Sequence, residues 1–258
     1  MPAYDYSTLA DLYDEFCVVA EDIPLFRSAA AGARGPVLEL MAGTGRVTLP
    51  MLDAGAALTC VDSSPSMLAI LARKQAGRAR RARLVCGDVG ALPLGRAFDL
   101  VVLPFRGFNE LADRASQLAA LSEAARVLAA GGSFICTAHN PTVRGPAADG
   151  AWRELGRFPG AGGRTVRLHL KTALSRRPGV VVGEQRVEVL DAGGRLLDRR
   201  TVALEFSLVP ASDLIAMAGS VGLVATRLLG DWNGARFDEP SSPNLIAFFE
   251  KRDERESR

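Results

Sequence analysis

Small and acidic residues follow the first three predicted strands at positions that suit a nucleotide-like ligand. Gly43 and Gly45 come directly after an apolar run, and they allow the backbone to turn tightly and approach a ligand. The helix predicted after them would point its N-terminal amides at a carboxylate or phosphate. Asp62 ends the second strand, where a carboxylate can accept two hydrogen bonds from a ribose diol. Asp88 follows the third strand and, beside the amide of Val89, can pair with adenine.

Each of these features also has a purely structural interpretation. A Gly-x-Gly pair is often only a turn, and Asp62 can serve the N-terminus of the helix that Ser64 and Pro65 begin. Asp88 can be an ordinary turn residue. If the functional interpretation holds, Gly45→Val should abolish ligand binding while the protein still folds, because the turn is expected at the surface of the sheet end.

Two further loops are expected to face the reacting part of a ligand, since ligands of open parallel sheets bind beyond the carboxyl ends of the strands. Arg106 and Asn109 follow the fourth strand and could orient a polar group. His139 ends the fifth strand, and an imidazole near neutral pKa could take a proton from an attacking nucleophile. Alternatively, His139 only packs locally, and Arg106 and Asn109 only shape their loop.

The elements that must position these residues alternate between strand and helix, which is typical of a parallel sheet covered by helices on both faces. The first 33 residues are predicted to be helical, and further helices are expected over 112–128 and 210–220. Strands are predicted at 37–41, 57–62, 83–86, 98–103, 133–138, 224–230 and 244–250.

The pattern changes in the middle of the second half of the chain. Strand patterns at 165–174, 180–190 and 195–208 follow one another without room for crossover helices. Gly193 and Gly194 provide a hairpin turn between the last two strands. We therefore predict an antiparallel insertion that lies over the active site or across a dimer.

Composition excludes several classes of protein. The 258 residues are 48% hydrophobic and 23% charged, with a formal net charge of +2, which gives no electrostatic case for binding nucleic acid or a membrane. No apolar run is long enough to span a bilayer. The four cysteines contain no CxxC pair and are expected to be reduced core residues, so neither disulfides nor a metal site is predicted. A cytoplasmic protein is expected.

The ordered set of motifs resembles the class I S-adenosylmethionine-dependent methyltransferases. It comprises Glu39 to Arg46, Asp62, Asp88-Val89, the strand at 98–103 and the segment 126–132. The resemblance implies a Rossmann-like α/β fold: a seven-stranded, mostly parallel sheet whose last strand is antiparallel, here with the antiparallel β insertion. It also implies that the glycine-rich loop holds the methionine part of the cofactor, Asp62 the ribose and Asp88 the adenine.

Tyrosines near the N-terminus extend the resemblance, because Tyr4, Tyr6 and the pair Tyr13-Asp14 are similar to residues that fold over the bound cofactor in small-molecule members. The residues carried over as binding S-adenosylmethionine are Tyr13, Glu39, Ala42, Gly43, Gly45, Arg46, Asp62, Ser63, Met67, Asp88, Val89 and Leu103.

The resemblance implies three parts. Residues 1–33 form a helical cap over the cofactor, 34–141 with 210–250 form the cofactor-binding core, and 142–209 form the insertion, a substrate lid or dimer contact. The implied activity is methyl transfer to a nitrogen or oxygen of a small molecule, in natural-product biosynthesis, by a chain that could be a homodimer. An RNA or protein methyltransferase and a non-catalytic cofactor-binding module are the alternatives.

Overall fold

The computed structural model describes residues 6–95 and 98–252; Tyr4 lies outside these ranges. The helices are α1 Ala10–Phe16, α2 Ile23–Gly32, α3 Thr48–Asp53, α4 Pro65–Gln75, α5 Arg114–Val127, α6 Pro141–Arg144 and α7 Ala211–Ser220. The strands are β1 Val37–Leu40, β2 Leu58–Asp62, β3 Arg83–Cys86, β4 Phe98–Leu103, β5 Leu128–His139, β6 Asp149–Pro159, β7 Thr165–Leu174, β8 Val180–Leu190, β9 Leu196–Ser207, β10 Leu223–Leu229 and β11 Asn244–Lys251.

Seven strands form the main sheet in the order β10-β11-β5-β4-β1-β2-β3. The pairs among β1 to β5 are parallel, whereas β11 is antiparallel to both β5 and β10. Strands β1 and β4 are buried along nearly their whole length, as expected of strands with helices on both faces. The predicted fold is confirmed. The strand order reverses beside β1, so the loops after β1 and β4 flank the crevice where such sheets bind ligands.

The insertion is a separate four-stranded antiparallel sheet in the order β6-β7-β8-β9. Its first strand was not predicted from the sequence. Gly150 and Gly156 interrupt the strand pattern, and the register of β6 against β7 shifts near both. Most side chains of β6 are exposed, so the sequence there lacks the apolar alternation that marks a strand.

The N-terminal segment consists of two helices and not one continuous helical stretch. Helix α1 packs against the insertion sheet in a cluster of its own that contains Leu9, Leu12, Phe16, Val166, Val187, Val189 and Val202. Polar contacts tie the same helix to both neighbours: Arg200 pairs with Asp11 at 2.5 Å, and Lys74 of α4 pairs with Asp14 at 2.9 Å. The helix therefore bridges the insertion and the main sheet.

Two expectations about individual residues were wrong. Cys86 is exposed at the end of β3 and Cys17 is half-buried, although Cys60 and Cys136 are buried as predicted. Strand β5 begins at Leu128, five residues earlier than expected, with an irregularity opposite Phe98 to Leu100.

No helix of the described ranges is both long and apolar enough to cross a membrane.

Candidate active site at the carboxyl ends of the strands

The glycine-rich turn after β1 closes against the end of β2. The amide of Gly43 donates to Oδ2 of Asp62 at 2.7 Å, and Gly43 has a φ of 57° with no atom near the position of a Cβ. Gly45 differs, because at a φ of 90° its Cβ would lie 2.3 Å from Cδ1 of the buried Leu71. A side chain at Gly45 would thus press on Leu71 in the core, which argues against the expectation that Gly45→Val leaves folding undisturbed.

Asp62 is held by two backbone amides. Oδ1 accepts from the amide of Ser64 at 2.8 Å and Oδ2 from that of Gly43, while the residue is 9% exposed. Burial raises the pKa of the carboxyl, and the two amides act against that rise. Each oxygen retains a lone pair, so the carboxylate fits a ribose diol. Ser63 is exposed beside it, and Met67 is buried below.

Asp88 occupies an exposed turn after β3. Its Oδ1 accepts from the amide of Gly90 at 2.7 Å, which leaves Oδ2 free to accept from an amino group. Val89 is 5% exposed and packs in the main core. This arrangement agrees with both interpretations of Asp88, the turn and the adenine contact.

Glu39, Ala42 and Arg46 surround the glycine-rich turn, but two of them are engaged within the protein. Glu39 is buried and accepts from Oγ1 of Thr48 at 2.5 Å, and burial raises its pKa to about 7. Arg46 forms a bidentate ion pair with Asp22, at 2.5 and 2.6 Å, and lies over the ring of Phe105. Ala42 is buried.

The N-terminal helix covers this turn through polar contacts. Oγ1 of Thr44 donates to Asp14 at 2.6 Å, and Tyr13 packs edge-to-face on Tyr6 with 5.8 Å between the ring centroids. Burial raises the pKa of Tyr13 well above its ordinary value, so this tyrosine stays protonated. Asp14 therefore contacts the glycine-rich turn, and the covering of the cofactor by Tyr13 stays a prediction.

Glu110 joins the cap to the loop after β4, and the sequence analysis did not select it. Oη of Tyr6 donates to its Oε1 at 2.5 Å. Burial raises the pKa of Glu110 to about 7, the hydrogen bond from Tyr6 opposes the rise, and the negative charge of Asp62 adds to it. Glu110 thus places a carboxyl group that titrates near neutrality within electrostatic reach of Asp62.

The structure brings His139, Arg106 and Asn109 together, and the contacts of each bear on its predicted role. Asn109 is 1% exposed; its Nδ2 donates to the carbonyl of Ser207 at 2.5 Å, and its Oδ1 accepts from the amide of His139 at 2.7 Å. Both ends of the amide are therefore engaged, and Asn109 ties β9 of the insertion to the end of β5. It is a positioning residue and not a group that is free to hold a ligand.

The imidazole of His139 lies in a positively charged, partly dry environment. Burial and, to a lesser extent, the positive charges of Arg106 and Arg144 together lower its pKa to about 3. Its ring packs on Phe206 with 5.6 Å between centroids. A base this weak has little driving force for proton transfer at neutral pH, which argues against the predicted role of His139 as general base.

Arg106 is anchored by two other elements. Its Nε and Nη2 donate to Oδ1 of Asn244 at 3.1 and 2.6 Å, and its amide donates to Oγ1 of Thr137 at 2.8 Å. Phe105 and Arg106 have φ values of 55° and 61°, in the left-handed region that non-glycine residues rarely occupy. Leu103 is buried where β4 ends. Strain at this sharp turn directs the guanidinium toward β5 and β11.

The functional residues that sequence analysis missed are distant in sequence from the motifs. They are Glu110, which accepts a hydrogen bond from Tyr6, Asp22, which neutralises Arg46, and Arg144, Phe206 and Asn244, which surround His139. Only the pair Asn109-Glu110 carried a signal, as polar residues in a loop that follows a buried strand.

Comparison with known proteins agrees with this geometry. Residues 37–132 match the sequence family described as a methyltransferase domain. A demethylmenaquinone methyltransferase of Thermus thermophilus is 38% identical over 112 residues, which cover 42% of this chain and 49% of that protein. The chain therefore spans about half the length of the curated relatives it matches.

Two solved structures match along nearly the whole chain. The CcbJ methyltransferase from Streptomyces caelestis has a TM-score of 0.78 at 25% identity, covering 98% of this chain and 100% of that one. The sugar N-methyltransferase KedS8 from Streptoalloteichus shares the fold, with a TM-score of 0.72 at 22% identity and coverage of 94% and 92%. These matches agree with the predicted family and cofactor, because residues 37–132 match a methyltransferase domain and nearly the whole chain is similar to the methyltransferase CcbJ.

Proposed function

We propose that the protein transfers the methyl group of S-adenosylmethionine to a nitrogen or oxygen of a small molecule. The observation that carries this proposal is the contact across the top of the site, where Asn109 of the β4 loop donates to Ser207 of the insertion at 2.5 Å. Together with the Tyr6–Glu110 hydrogen bond, it covers the carboxyl ends of β4 and β5 from two directions. A covered site admits a small acceptor more readily than RNA or a folded protein.

The residues fit the cofactor. When bound, S-adenosylmethionine supplies an electrophilic methyl group on a positively charged sulfur. Asp62 would hold the ribose diol, Asp88 and the amide of Val89 the adenine, and the open backbone at Gly43 the methionine part. Tyr13 would cover it. The elements on the acceptor side would align the nucleophile with the methyl carbon and exclude water, and this alignment would supply most of the rate.

A base is required only where the nucleophile arrives protonated. Glu110 is the group we assign to that role, because it titrates near pH 7 and its position is set by Tyr6. Its ionised carboxylate would take the proton from the acceptor nitrogen or oxygen as the new carbon bond forms, and the bonding pair of the broken carbon–sulfur bond would remain on sulfur. Before the transfer, the hydrogen bond from Tyr6 would stabilise the ionised carboxylate of Glu110.

The relatives support this function unevenly. CcbJ matches over the full length, and KedS8, a sugar N-methyltransferase, supports the proposal only through the shared fold. The demethylmenaquinone methyltransferases match over less than half of this chain, so their substrate is not transferred to it. A place in natural-product biosynthesis is part of the proposal, as is a cytoplasmic location.

The cofactor half of the proposal is tested by calorimetry with S-adenosylhomocysteine. Asp62→Ala should raise the Kd by roughly 10- to 100-fold, the equivalent of about 1.5–3 kcal/mol for a hydrogen bond to a charged group. Asp53→Ala, which removes an exposed carboxylate at the end of α3, is the matched control and should leave the Kd unchanged. Equal affinities for the wild type and Asp62→Ala would exclude the ribose assignment.

The transfer half is tested with S-adenosylmethionine labelled in the methyl group. Incubation with pooled small amines and alcohols, with total RNA and with cell protein should place the label in the small-molecule fraction only. Label in RNA or protein would overturn the proposal in favour of those acceptors. Tight cofactor binding without label in any fraction would identify a non-catalytic binding module.

A further inference from the structure

Arg106 and Arg144 form a half-buried cationic pair beside His139. Arg144 of α6 lies over the ring of Phe206, 5.3 Å from its centroid. The imidazole of His139 packs against the same ring. Arg106 reaches the same place from the β4 loop and is anchored on Asn244, the residue paired with His139 across β5 and β11. Five elements, α6, β5, β9, β11 and the loop after β4, thus converge on one point of the acceptor side.

Neither guanidinium has a carboxylate partner among residues 6–95 and 98–252. The acids closest to Arg106 are Asp22 and Glu21, but Asp22 already forms the bidentate pair with Arg46. The Nη1 of Arg106 makes no hydrogen bond to the described residues. Burial lowers the pKa of both arginines; the charge of Arg144 lowers that of Arg106 further, and the charge of Arg153 lowers that of Arg144.

Several other arginines of the insertion, by contrast, are paired with carboxylates. Arg167 binds Glu188 at 2.6 Å, and Arg164 pairs with Glu15 of α1. Two half-buried positive charges without a counter-ion cost free energy, and the cost is recovered only when an anion binds. A planar oxyanion can accept two parallel hydrogen bonds from a guanidinium, whereas an ammonium group is repelled.

We propose that the methyl acceptor carries an oxyanion, a carboxylate or a phosphate, that docks between Arg106 and Arg144 against His139. This inference rests on the proposed function and specifies its substrate class. The oxyanion anchors the acceptor on the β5 side, and the nucleophile then points toward β4 and Glu110. Neutral His139 completes the anchor, as it can donate one N–H to the anion without adding a third charge.

The two histidines of the chain make a direct test by NMR possible, because His139 lies at the proposed anchor and His169 lies in the insertion beside Glu154. The protein is saturated with S-adenosylhomocysteine and titrated separately with acetate and with inorganic phosphate, at constant ionic strength set with chloride. The imidazole signal of His139 should shift in a saturable manner and its pKa should rise, while the signal of His169 should not move.

Arg144→Gln should raise the apparent Kd of the anion at least about tenfold, and Arg195→Gln, which alters an exposed arginine of the hairpin turn, should not. Arg106→Lys keeps the positive charge but loses the planar guanidinium with its paired N–H donors. It should weaken binding of the anion less than Arg144→Gln. A stronger response to acetate identifies a carboxylate acceptor, and a stronger response to phosphate a phosphorylated one.

Three results would overturn the inference. These are the absence of a saturable shift of His139, equal shifts of both histidines, and binding that Arg144→Gln leaves unchanged. A fall in the affinity for S-adenosylhomocysteine in Arg144→Gln, measured by calorimetry, would instead assign the pair to the cofactor. The proposed function fails separately, when the wild type does not bind S-adenosylhomocysteine or transfers no label.

Discussion

On the cofactor side, at the carboxyl ends of β1 to β3, the charged groups have partners within the protein. Asp62 accepts two backbone amides, Arg46 is paired with Asp22, and Asp14 is bound by Thr44 and Lys74. On the acceptor side, at the ends of β4 and β5, Arg106 and Arg144 have no carboxylate partner among the described residues, and His139 is neutral.

The difference suggests how the two sides are used. A site for a constant ligand can be organised in advance, because the same hydrogen bonds serve every turnover. A site that selects one acceptor can instead leave charges that only the correct ligand neutralises, so that a wrong ligand leaves them unpaired. Glu110 lies between the two sides, hydrogen-bonded to the cap and within electrostatic reach of Asp62.

The largest expected effect concerns Glu110. Glu110→Gln removes the proton acceptor but keeps a hydrogen-bonding side chain opposite Tyr6, and should lower kcat by roughly 10²-fold or more on an acceptor with a protonated nucleophile. In the wild type, kcat/KM should rise with pH through an apparent pKa near 7, because the carboxyl must be ionised to accept a proton. The variant should lack this rise.

Tyr6→Phe is the matched control for that prediction. The hydrogen bond from Tyr6 lowers the pKa of Glu110, so its removal should move the rise in kcat/KM to higher pH while the plateau persists. The groups that act on Glu110 are Tyr6 of the cap and Asp62 of β2, and Glu110 in turn acts on the pKa of Tyr13 of α1. A pH profile that is identical in wild type, Glu110→Gln and Tyr6→Phe would exclude Glu110 as the base.

The next effect contrasts two glycines of the cofactor side. Both have positive φ, but only a Cβ at Gly45 meets the core, at 2.3 Å from Cδ1 of Leu71. Gly45→Ala should therefore lower the free energy of unfolding by about 1–3 kcal/mol more than Gly43→Ala, as is usual for an overpacked core. Urea denaturation without ligand measures the difference. Equal losses would show that Leu71 moves aside freely.

The contacts of the site that could be predicted are those between residues that lie close together in the sequence. Gly43 and Asp62 are 19 positions apart, and their meeting was predictable because the resemblance assigned both of them to the same cofactor. Arg106 and Asn244 are 138 positions apart, and Asn109 and Ser207 are 98 apart. No local pattern reports such contacts, because they depend on how distant strands, and the insertion, pack against the loop after β4.

The protonation states of His139 and Glu110 were also unpredictable, because the groups that shift their pKa values are distant in sequence. His139 was selected because free imidazole titrates near neutrality, yet the burial and the arginines that lower its pKa come from α6, β9 and the β4 loop. Glu110 was not selected from the sequence, although burial in the folded chain raises its pKa to about 7. In each case, tertiary surroundings reversed the expectation drawn from residue type.

The smallest expected effect is that of His139→Ala on turnover. An imidazole with a pKa of about 3 is neutral throughout the working range and gains little from taking a proton. We expect kcat to fall by less than about tenfold, and the loss to remain the same at high pH, because no proton transfer has been removed. KM for an anionic acceptor should rise instead, since the ring contacts Phe206 at the proposed anchor.

The alternative is the role first predicted for His139. A general base there would make His139→Ala lose 10²- to 10⁴-fold in kcat, with the loss shrinking as pH rises and more acceptor is already deprotonated. His169→Ala, in the insertion sheet, is the matched control for removing an imidazole. A loss of that size in His139→Ala alone would return proton transfer to β5, and Glu110 would then only hold the cap closed through Tyr6.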